Sequence, residues 1–231
     1  MAAAAGWGAL AASSLVIGAA LGLARSWRDP PIGVVLAFGA GALISAVSFD
    51  LAQEGARVGG AGMLAVGLGL GAVTYYGLDR RLESGTTANA GAGLALGAFL
   101  DGIPEQIVLG IGLATGDGVS VGLLAAIFVS NLPEAIGSAT DMRAGGHRPG
   151  GVARLWVGVA VVCALATVAG FAVADTASGE VKAAINGFAA GALLVMLIDS
   201  MIPEAVAKGG RIAGLFTVLG FAVAAGLSGI A

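Results

Sequence analysis

Long apolar stretches follow one another along almost the whole chain, separated by short breaks that are rich in charged residues, glycine or proline. A helix that crosses a bilayer needs about 20 mostly apolar residues. Eight stretches of roughly this length can be read, at 7–24, 31–54, 60–78, 88–114, 118–140, 152–174, 181–206 and 211–230. We therefore predict an all-α integral membrane protein with eight transmembrane helices, in which residues 1–231 form a single polytopic domain.

The composition supports this prediction. The chain is 58% hydrophobic and only 11% charged, and its mean hydropathy is +0.96. A soluble domain of 231 residues could not cover so much apolar surface, so we expect a lipid bilayer around the protein and no nucleic-acid partner. Glycine accounts for 41 residues, which indicates closely packed membrane helices. The single cysteine, Cys163, lies in an apolar stretch and is expected to be a buried, inert thiol.

The basic residues predict the orientation. In the eight-span topology only Arg57 and Lys182 lie on one side, while nine basic residues lie on the other: Arg25, Arg28, Arg80, Arg81, Arg143, Arg148, Arg154, Lys208 and Arg211. Short loops that are rich in lysine and arginine stay in the cytoplasm. We therefore predict a multi-pass protein of the cell membrane with both termini outside the cytoplasm.

Two internal similarities run through the spans. The sequence Asp101-Gly-Ile-Pro-Glu105 in span 4 is matched, at an offset of 29, by Ser130-Asn-Leu-Pro-Glu134 in span 5. At an offset of 150, residues 38–43 of span 2 resemble residues 188–193 of span 7, and the same alignment superposes Glu54 on Glu204. Spans 2 and 7 cross in opposite directions, as do spans 4 and 5. Because inverted repeats with a midplane site on interrupted helices are typical of secondary transporters, we predict that spans 1–3 repeat as spans 6–8 around spans 4 and 5.

Acidic residues inside the spans indicate the chemistry. Seven of the 14 acids lie there: Asp50, Glu54, Asp101, Glu105, Glu134, Asp199 and Glu204. An ionised acid near a helix centre costs on the order of 2.5–3.5 kcal/mol, and we expect no lysine, arginine or histidine at comparable depth to neutralise these groups. They therefore require a cation, protons or water.

The depth and spacing of the motifs predict a metal site in the middle third of the bilayer. Residues four apart share a helix face, so each motif can present two oxygen ligands inward. Pro104 and Pro133 should each free a backbone carbonyl, of Leu100 and Val129, for water or an ion. The predicted metal ligands are Asp101, Glu105, Ser130, Asn131 and Glu134. The other acids and one serine are predicted to form a cation pathway through Asp50, Glu54, Asp199, Ser200 and Glu204.

At these residues the chain resembles the ZIP family of metal transporters over all eight spans. Asp101 and Glu105 match the two ends of the family's His-Asn-x-Pro-Glu motif in span 4. Glu134 matches the related glutamate in span 5, and Asp50-Leu-Ala-Gln-Glu54 corresponds to the family's span-2 motif. The resemblance implies a homodimer without a tightly bound cofactor, which moves Zn²⁺, Mn²⁺ or Fe²⁺ into the cytoplasm. It also implies that spans 1, 4, 5 and 6 move against a scaffold of spans 2, 3, 7 and 8.

The chain departs from the family pattern in its ligands. The only histidine, His147, lies in a predicted cytoplasmic loop, Gly102 stands at a ligand position, and span 6 offers no acid. The expected ligands are therefore all oxygen, which suits Mn²⁺ as well as the zinc that the family favours. A proton-coupled or proton-only carrier, or a ZIP-like membrane protein that does not transport, remains the alternative. We expect no enzyme, because neither Glu-x-x-His pairs nor buried phosphate-binding cations are present. A membrane protease with catalytic aspartates stays open, but it would give no reason for the duplicated Pro-Glu.

Overall fold

Helices make up the described part of the protein. The computed structural model describes the backbone of residues 1–25, 27–84, 90–114 and 120–228, and it leaves the side chains of 82–84, 90–98, 100, 101 and 175 undescribed. Within these residues the α-helices are α1 (Ala2–Ala24), α2 (Asp29–Ala46), α3 (Glu54–Gly59), α4 (Ala61–Ser84), α5 (Ala90–Ala114), α6 (Val121–Ala144), α7 (Pro149–Thr176), α8 (Gly179–Met196), α9 (Ile202–Gly209) and α10 (Ala213–Ser228). No strand occurs among them, so the all-α prediction is confirmed.

Several of these helices are long and apolar enough to cross a membrane. Six such segments lie in the described ranges: Ala2–Ala24, Asp29–Gly59, Ala61–Arg81, Val121–Ala144, Pro149–Ala174 and Gly179–Ser228. The last of them runs for 50 residues and contains a glycine with positive φ, Gly210, while α5 contributes the shorter apolar helix Gly102–Ala114. The membrane character of the chain is thus supported, and the count of eight spans stays a prediction.

The helices are interrupted at places other than the predicted ones. Pro104 and Pro133 lie inside the helices α5 and α6, which continue through the motif, and the freeing of a carbonyl by each proline stays a prediction. Instead, π-helical turns interrupt two long helical runs. The segment Val47–Gln53 joins α2 to α3, and Leu197–Met201 joins α8 to α9. Such turns are rare and are frequently found at functional sites.

The two interrupted runs, 29–59 and 179–209, lie antiparallel to each other. A Cβ atom added to Gly33 would meet the backbone of Gly209, and one added to Gly59 would meet the backbone of Gly179. The start of each run therefore lies against the end of the other. Each run is followed by a glycine with positive φ, Gly60 after the first and Gly210 after the second, in a conformation that favours glycine.

Glycine lets the main helix pairs approach backbone to backbone, as the composition predicts. Helix α2 packs on α10 through Gly41, whose added Cβ would meet Thr217, and α4 packs on α8 at Gly191, where it would meet Leu68. In the same way α1 lies against α6 at Gly18, and α5 lies against α7 at Gly110. These contacts bring α5, α6 and α7, which carry the candidate site, into one bundle.

Basic residues gather at one end of this bundle. The Arg143 side chain at the end of α6 donates a hydrogen bond to the carbonyl oxygen of Leu23 at the end of α1. Lys208, at the end of α9, lies beside Gly33 at the start of α2. Arg57, in α3, lies at the opposite end, where Gly59 meets Gly179. The described contacts thus agree with the predicted segregation of charge, and which end faces the cytoplasm stays a prediction.

Candidate functional site

The two glutamates of the repeated motif lie on adjacent helices in the interior. Glu105 on α5 is 1% exposed, and Glu134 on α6 is half-buried. Asp101 lies one turn before Glu105 on α5, but its side chain is outside the described residues. The motif therefore places at least one carboxyl group in a fully buried environment, where an ionised form needs a partner.

Helix α6 packs on two neighbouring helices within the motif. Gly18 of α1 packs on Leu132 and Ala135, whereas Gly39 of α2 packs on the backbone of Ser130. Glu134 is four residues from Ser130 and lies on the same side of α6, while Asn131 is four residues from Ala135 and lies on the side of α1.

Ser130 and Asn131 are both buried at 2% exposure. The Ser130 hydroxyl donates to the carbonyl oxygen of Ile127 at 3.0 Å, so its bond stays within α6. The amide nitrogen of Asn131, in contrast, has no hydrogen-bond partner among the described residues. A buried polar group left in this state costs roughly 1–3 kcal/mol, which favours a ligand or water at this position.

Cys163 on α7 lies beside the motif segment of α5. Its side chain is fully buried, and a Cβ atom added to Gly102 would lie 2.8 Å from its sulfur. The interpretation of Cys163 as an inert core thiol took no account of this position, because the approach of α7 to α5 is a tertiary contact. The one feature of the sequence that indicates a close neighbour at this place is the lack of a side chain at Gly102, within a motif rich in ligands.

A second buried amide lies one turn further along the same interface. Gln106 accepts a hydrogen bond from the Thr167 hydroxyl at 2.5 Å through its Oε1 atom. Its side-chain nitrogen has no partner among the described residues. The interface between α5 and α7 therefore carries polar groups over two consecutive turns, at Gly102 with Cys163 and at Gln106 with Thr167.

The described side chains do not form a preassembled metal cage. Among them, no three carboxylate, cysteine or histidine groups come together closely enough to hold a metal ion. An ion bound here would therefore also take oxygen ligands from the amide of Asn131, from Ser130 or from Asp101.

The predicted pathway residues near the end opposite the basic one form a separate polar cluster. Asp50, on the first π-helical turn, accepts hydrogen bonds from Ser120 at 2.9 Å and from Ser228 at 3.5 Å. Ser120 is also the N-cap of α6, since its hydroxyl accepts from the Leu123 amide. Asp50 thus ties the start of the motif helix to α2 and α10. A cavity of about 430 Å³ opens beside it, lined by residues that include Asp50, Gln53, Glu54 and Ser228.

Both glutamates at the ends of the interrupted runs are paired with basic residues. Arg57 donates two hydrogen bonds of 2.7 Å to Glu54, and Lys208 donates one of 2.6 Å to Glu204. The expectation that no basic group lies near the in-span acids is therefore wrong for these two. The pairs form because residues three or four apart meet on a helix surface. The Lys208 pair also lies against α6, since a Cβ atom added to Gly137 would lie 3.3 Å from the ammonium nitrogen.

Asp199 and Ser200 lie apart from the other candidate residues. Both are exposed, on the second π-helical turn. Asp199 lines an outer groove of about 500 Å³ with Tyr76 and the apolar residues Leu68, Val73 and Ile198. The structure therefore does not bring Asp199 together with Glu105 and Glu134.

No protein-family model matches the chain, and a search of curated proteins gives no match either. The functional conclusion is accordingly argued from the residues of the site.

Proposed function

We propose that the protein transports a divalent metal cation across the membrane through a midplane site on α5 and α6. The observation that carries the proposal is the placement of Glu105, which is 1% exposed, and Glu134 on the adjacent helices α5 and α6. Two carboxylates in an apolar interior are costly unless a positive charge compensates them. A divalent cation provides that compensation while it is bound.

The matched features of the two interrupted runs support an inverted repeat with eight spans. In this reading the runs 29–59 and 179–209 each cross the membrane once, as do α1, α4, α5, α6, α7 and α10. The π-helical turns begin at Val47 and Leu197, which correspond to each other in the alignment of span 2 with span 7. The glycines with positive φ, Gly60 and Gly210, correspond in the same alignment.

The positions of the acids suggest how a cation reaches the site. Asp50 and Glu54 border the cavity at one end, and the ion pair of Glu204 with Lys208 lies against α6 at the other. A cation that enters at either end must replace a serine hydroxyl or a basic side chain as the partner of a carboxylate. We propose that these contacts close the two ends of the pathway in turn, as alternating access requires. Asp199 and Ser200 are not needed for this route.

The proposal also names a family, a transported metal and a location in the cell. The motif residues favour a ZIP-like transporter in the cell membrane, acting as a homodimer with both termini outside. Zn²⁺ is the family's substrate, and Mn²⁺ or Fe²⁺ are the other candidates. The collection of nine basic residues on one side supports this orientation.

Protection against heat denaturation tests metal binding and separates it from a proton-only carrier. Purified protein should unfold at a higher temperature with Zn²⁺ or Mn²⁺ present, because a ligand that binds only the folded state stabilises it by mass action. Glu105→Gln and Glu134→Gln should lose this protection, whereas Glu180→Gln, an exposed acid at the start of α8, should keep it. An unfolding temperature that changes with pH but not with any divalent metal would favour the proton carrier instead.

A further inference from the structure

A polar cavity lies where α1 and α6 end, at the basic end of the bundle. Its volume is about 500 Å³. The described residues that line it are Gly22, Ala24, Arg25, Thr140, Arg143 and Ala144. Both helices end beside the cavity, and both are long and apolar enough to cross a membrane. The cavity therefore lies at the surface of any bilayer that these two helices cross.

The contacts around the cavity orient its two arginines, which are both exposed. Arg143 donates a hydrogen bond to the carbonyl oxygen of Leu23. The guanidinium group of Arg25 lies 4.6 Å from the centre of the Trp27 ring. Trp27 is fixed in turn, because its ring nitrogen donates to the carbonyl oxygen of Leu21 at 3.0 Å. Both guanidinium groups are therefore held in place by the end of α1.

The two arginines keep hydrogen-bond donors for a ligand. A guanidinium group has five N–H donors, and the contact of Arg143 with α1 uses one of them. Stacking on Trp27 uses none of the donors of Arg25. In the part of the chain that the structure describes, neither arginine is paired with a carboxylate. Asp141 lies two residues before Arg143 but is not among the described residues of the cavity wall.

The ends of the two helices offset only part of the positive charge. The C-terminus of a helix carries about half a negative elementary charge, and Arg143 already meets that of α1 through Leu23. Two half charges against two full charges leave the cavity with about one positive charge. An anion is therefore favoured in this cavity.

An exposed apolar stripe on α1 leads to the same place. Ile17 is 45% exposed and Leu21 is 36% exposed. The two residues are four apart and share a face of α1, and Arg25 follows four residues later. A phospholipid joins apolar acyl chains to a charged phosphate group. The stripe and the cavity together match this order, which favours a lipid over a free phosphate ion.

We propose that this cavity binds the phosphate of an anionic phospholipid headgroup, which bridges the end of α1 and the end of the motif helix α6. Arginine suits phosphate because its fork of donors binds two oxygen atoms at once. Basic pockets between membrane helices are known to bind lipid headgroups. The inference does not depend on the transported metal, because none of these residues belongs to the candidate metal site.

Lipid binding to the purified full-length protein tests the proposal. Delipidated protein in detergent is titrated with phosphatidylglycerol, which is anionic, or with phosphatidylcholine, which is zwitterionic, and native mass spectrometry counts the bound lipids. The parent should bind the anionic lipid more tightly. Arg25→Gln and Arg143→Gln should each weaken that binding about fivefold, the factor expected for one arginine near an anionic lipid surface. Binding of the zwitterionic lipid should change little.

Arg154→Gln is the matched control. Arg154 is exposed near the start of α7, at the same end of the bundle, and is not part of the described cavity wall. Like Arg143, it donates a hydrogen bond to a backbone carbonyl, here that of Gly150 at 3.1 Å. The control should keep the parent's preference for the anionic lipid. Equal losses in all three variants would overturn the proposal, because they would show attraction by the overall charge of this end.

Two further measurements complete the test. Arg143→Gln also removes a contact with α1, so Arg25→Gln, which loses only a stacking contact, decides the result if the first variant does not fold. Inorganic phosphate at millimolar concentration should leave phosphatidylglycerol bound. Displacement of the lipid by inorganic phosphate would overturn the lipid assignment and would show a site for a soluble phosphate ion instead.

Discussion

Alanine substitutions at two glycines, Gly41 and Gly191, should destabilise the protein to a similar degree. The two positions correspond at the offset of 150 and lie at corresponding helix contacts, of α2 with α10 and of α8 with α4. A Cβ atom at Gly41 would lie 2.7 Å from the carbonyl carbon of Thr217, and one at Gly191 would lie 2.9 Å from the amide nitrogen of Ala72. The carbonyl oxygens of Thr217 and Leu68 would lie closer still, and ordinary contact begins at 3.4 Å, so each helix pair must separate by more than 0.7 Å.

The magnitude follows from the kind of atom that is met. The neighbours are backbone atoms, which cannot rotate away, so the whole helix must shift. Overpacking of this kind costs about 1–3 kcal/mol. In a chain of this size, a loss of 1 kcal/mol lowers the unfolding midpoint by roughly 2–4 °C. We therefore expect each variant to unfold several degrees below the parent.

Matched controls are available on the exposed surfaces of the same bundle. Apart from their own helix, no atom of the residues that the structure describes lies within 4 Å of a Cβ added to Gly69 on α4 or to Gly158 on α7. Alanine there should leave stability unchanged or raise it by up to about 1 kcal/mol, since alanine favours helix over glycine. Thermal unfolding in one detergent compares all four variants. Equal stability of Gly41→Ala and Gly69→Ala would refute the close packing, and a loss at only one of Gly41 and Gly191 would refute their equivalence.

Two other predictions concern the ends of the pathway. Asp50→Ala should lower the free energy of unfolding by about 1.5–3 kcal/mol, because it removes the hydrogen bond from Ser120 and hydrogen bonds to charged groups have this magnitude. Ser228→Ala should lower it much less, since the 3.5 Å contact between Ser228 and Asp50 is at the limit of hydrogen bonding. Equal losses in the two variants would contradict this order. Alanine at Glu54 or Glu204 should slow metal uptake into liposomes while equilibrium binding stays at the parent value, because both glutamates lie away from the binding site. Uptake at the parent rate in both variants would show that these glutamates are not on the pathway.

Much of the helical architecture could be predicted from the sequence, because it depends on local composition. Runs of apolar residues give helices wherever they occur in a bilayer, and glycine marks close approach. The π-helical turns at Val47–Gln53 and Leu197–Met201 could not be predicted in this way. Only the second is followed by a nearby proline, Pro203, and the first has no comparable breaker. Pro104 and Pro133, which the sequence marks as motif prolines, lie inside continuous helices.

The candidate site was predictable in the residues of the repeated motif and not in its other members. Glu105 and Glu134 stand out because carboxylates are rare in apolar segments. The pairing of Glu54 with Arg57 contradicts the expectation that no basic residue lies near the acids, although the spacing of three residues on a helix can be read from the sequence. The proximity of Cys163 to Gly102 joins residues that are far apart in the sequence and depends on how α7 packs on α5. No local pattern encodes such a contact.

Metal uptake by reconstituted liposomes tests the central claim most directly. Parent protein should carry at least one of Zn²⁺, Mn²⁺ and Fe²⁺ to a trapped indicator. Glu105→Gln and Glu134→Gln should each abolish that flux, since either change removes one of the two buried charges that hold the ion, while Glu180→Gln should transport normally. Flux at the parent rate in both site variants, or no flux of any divalent metal by the parent, would contradict the account.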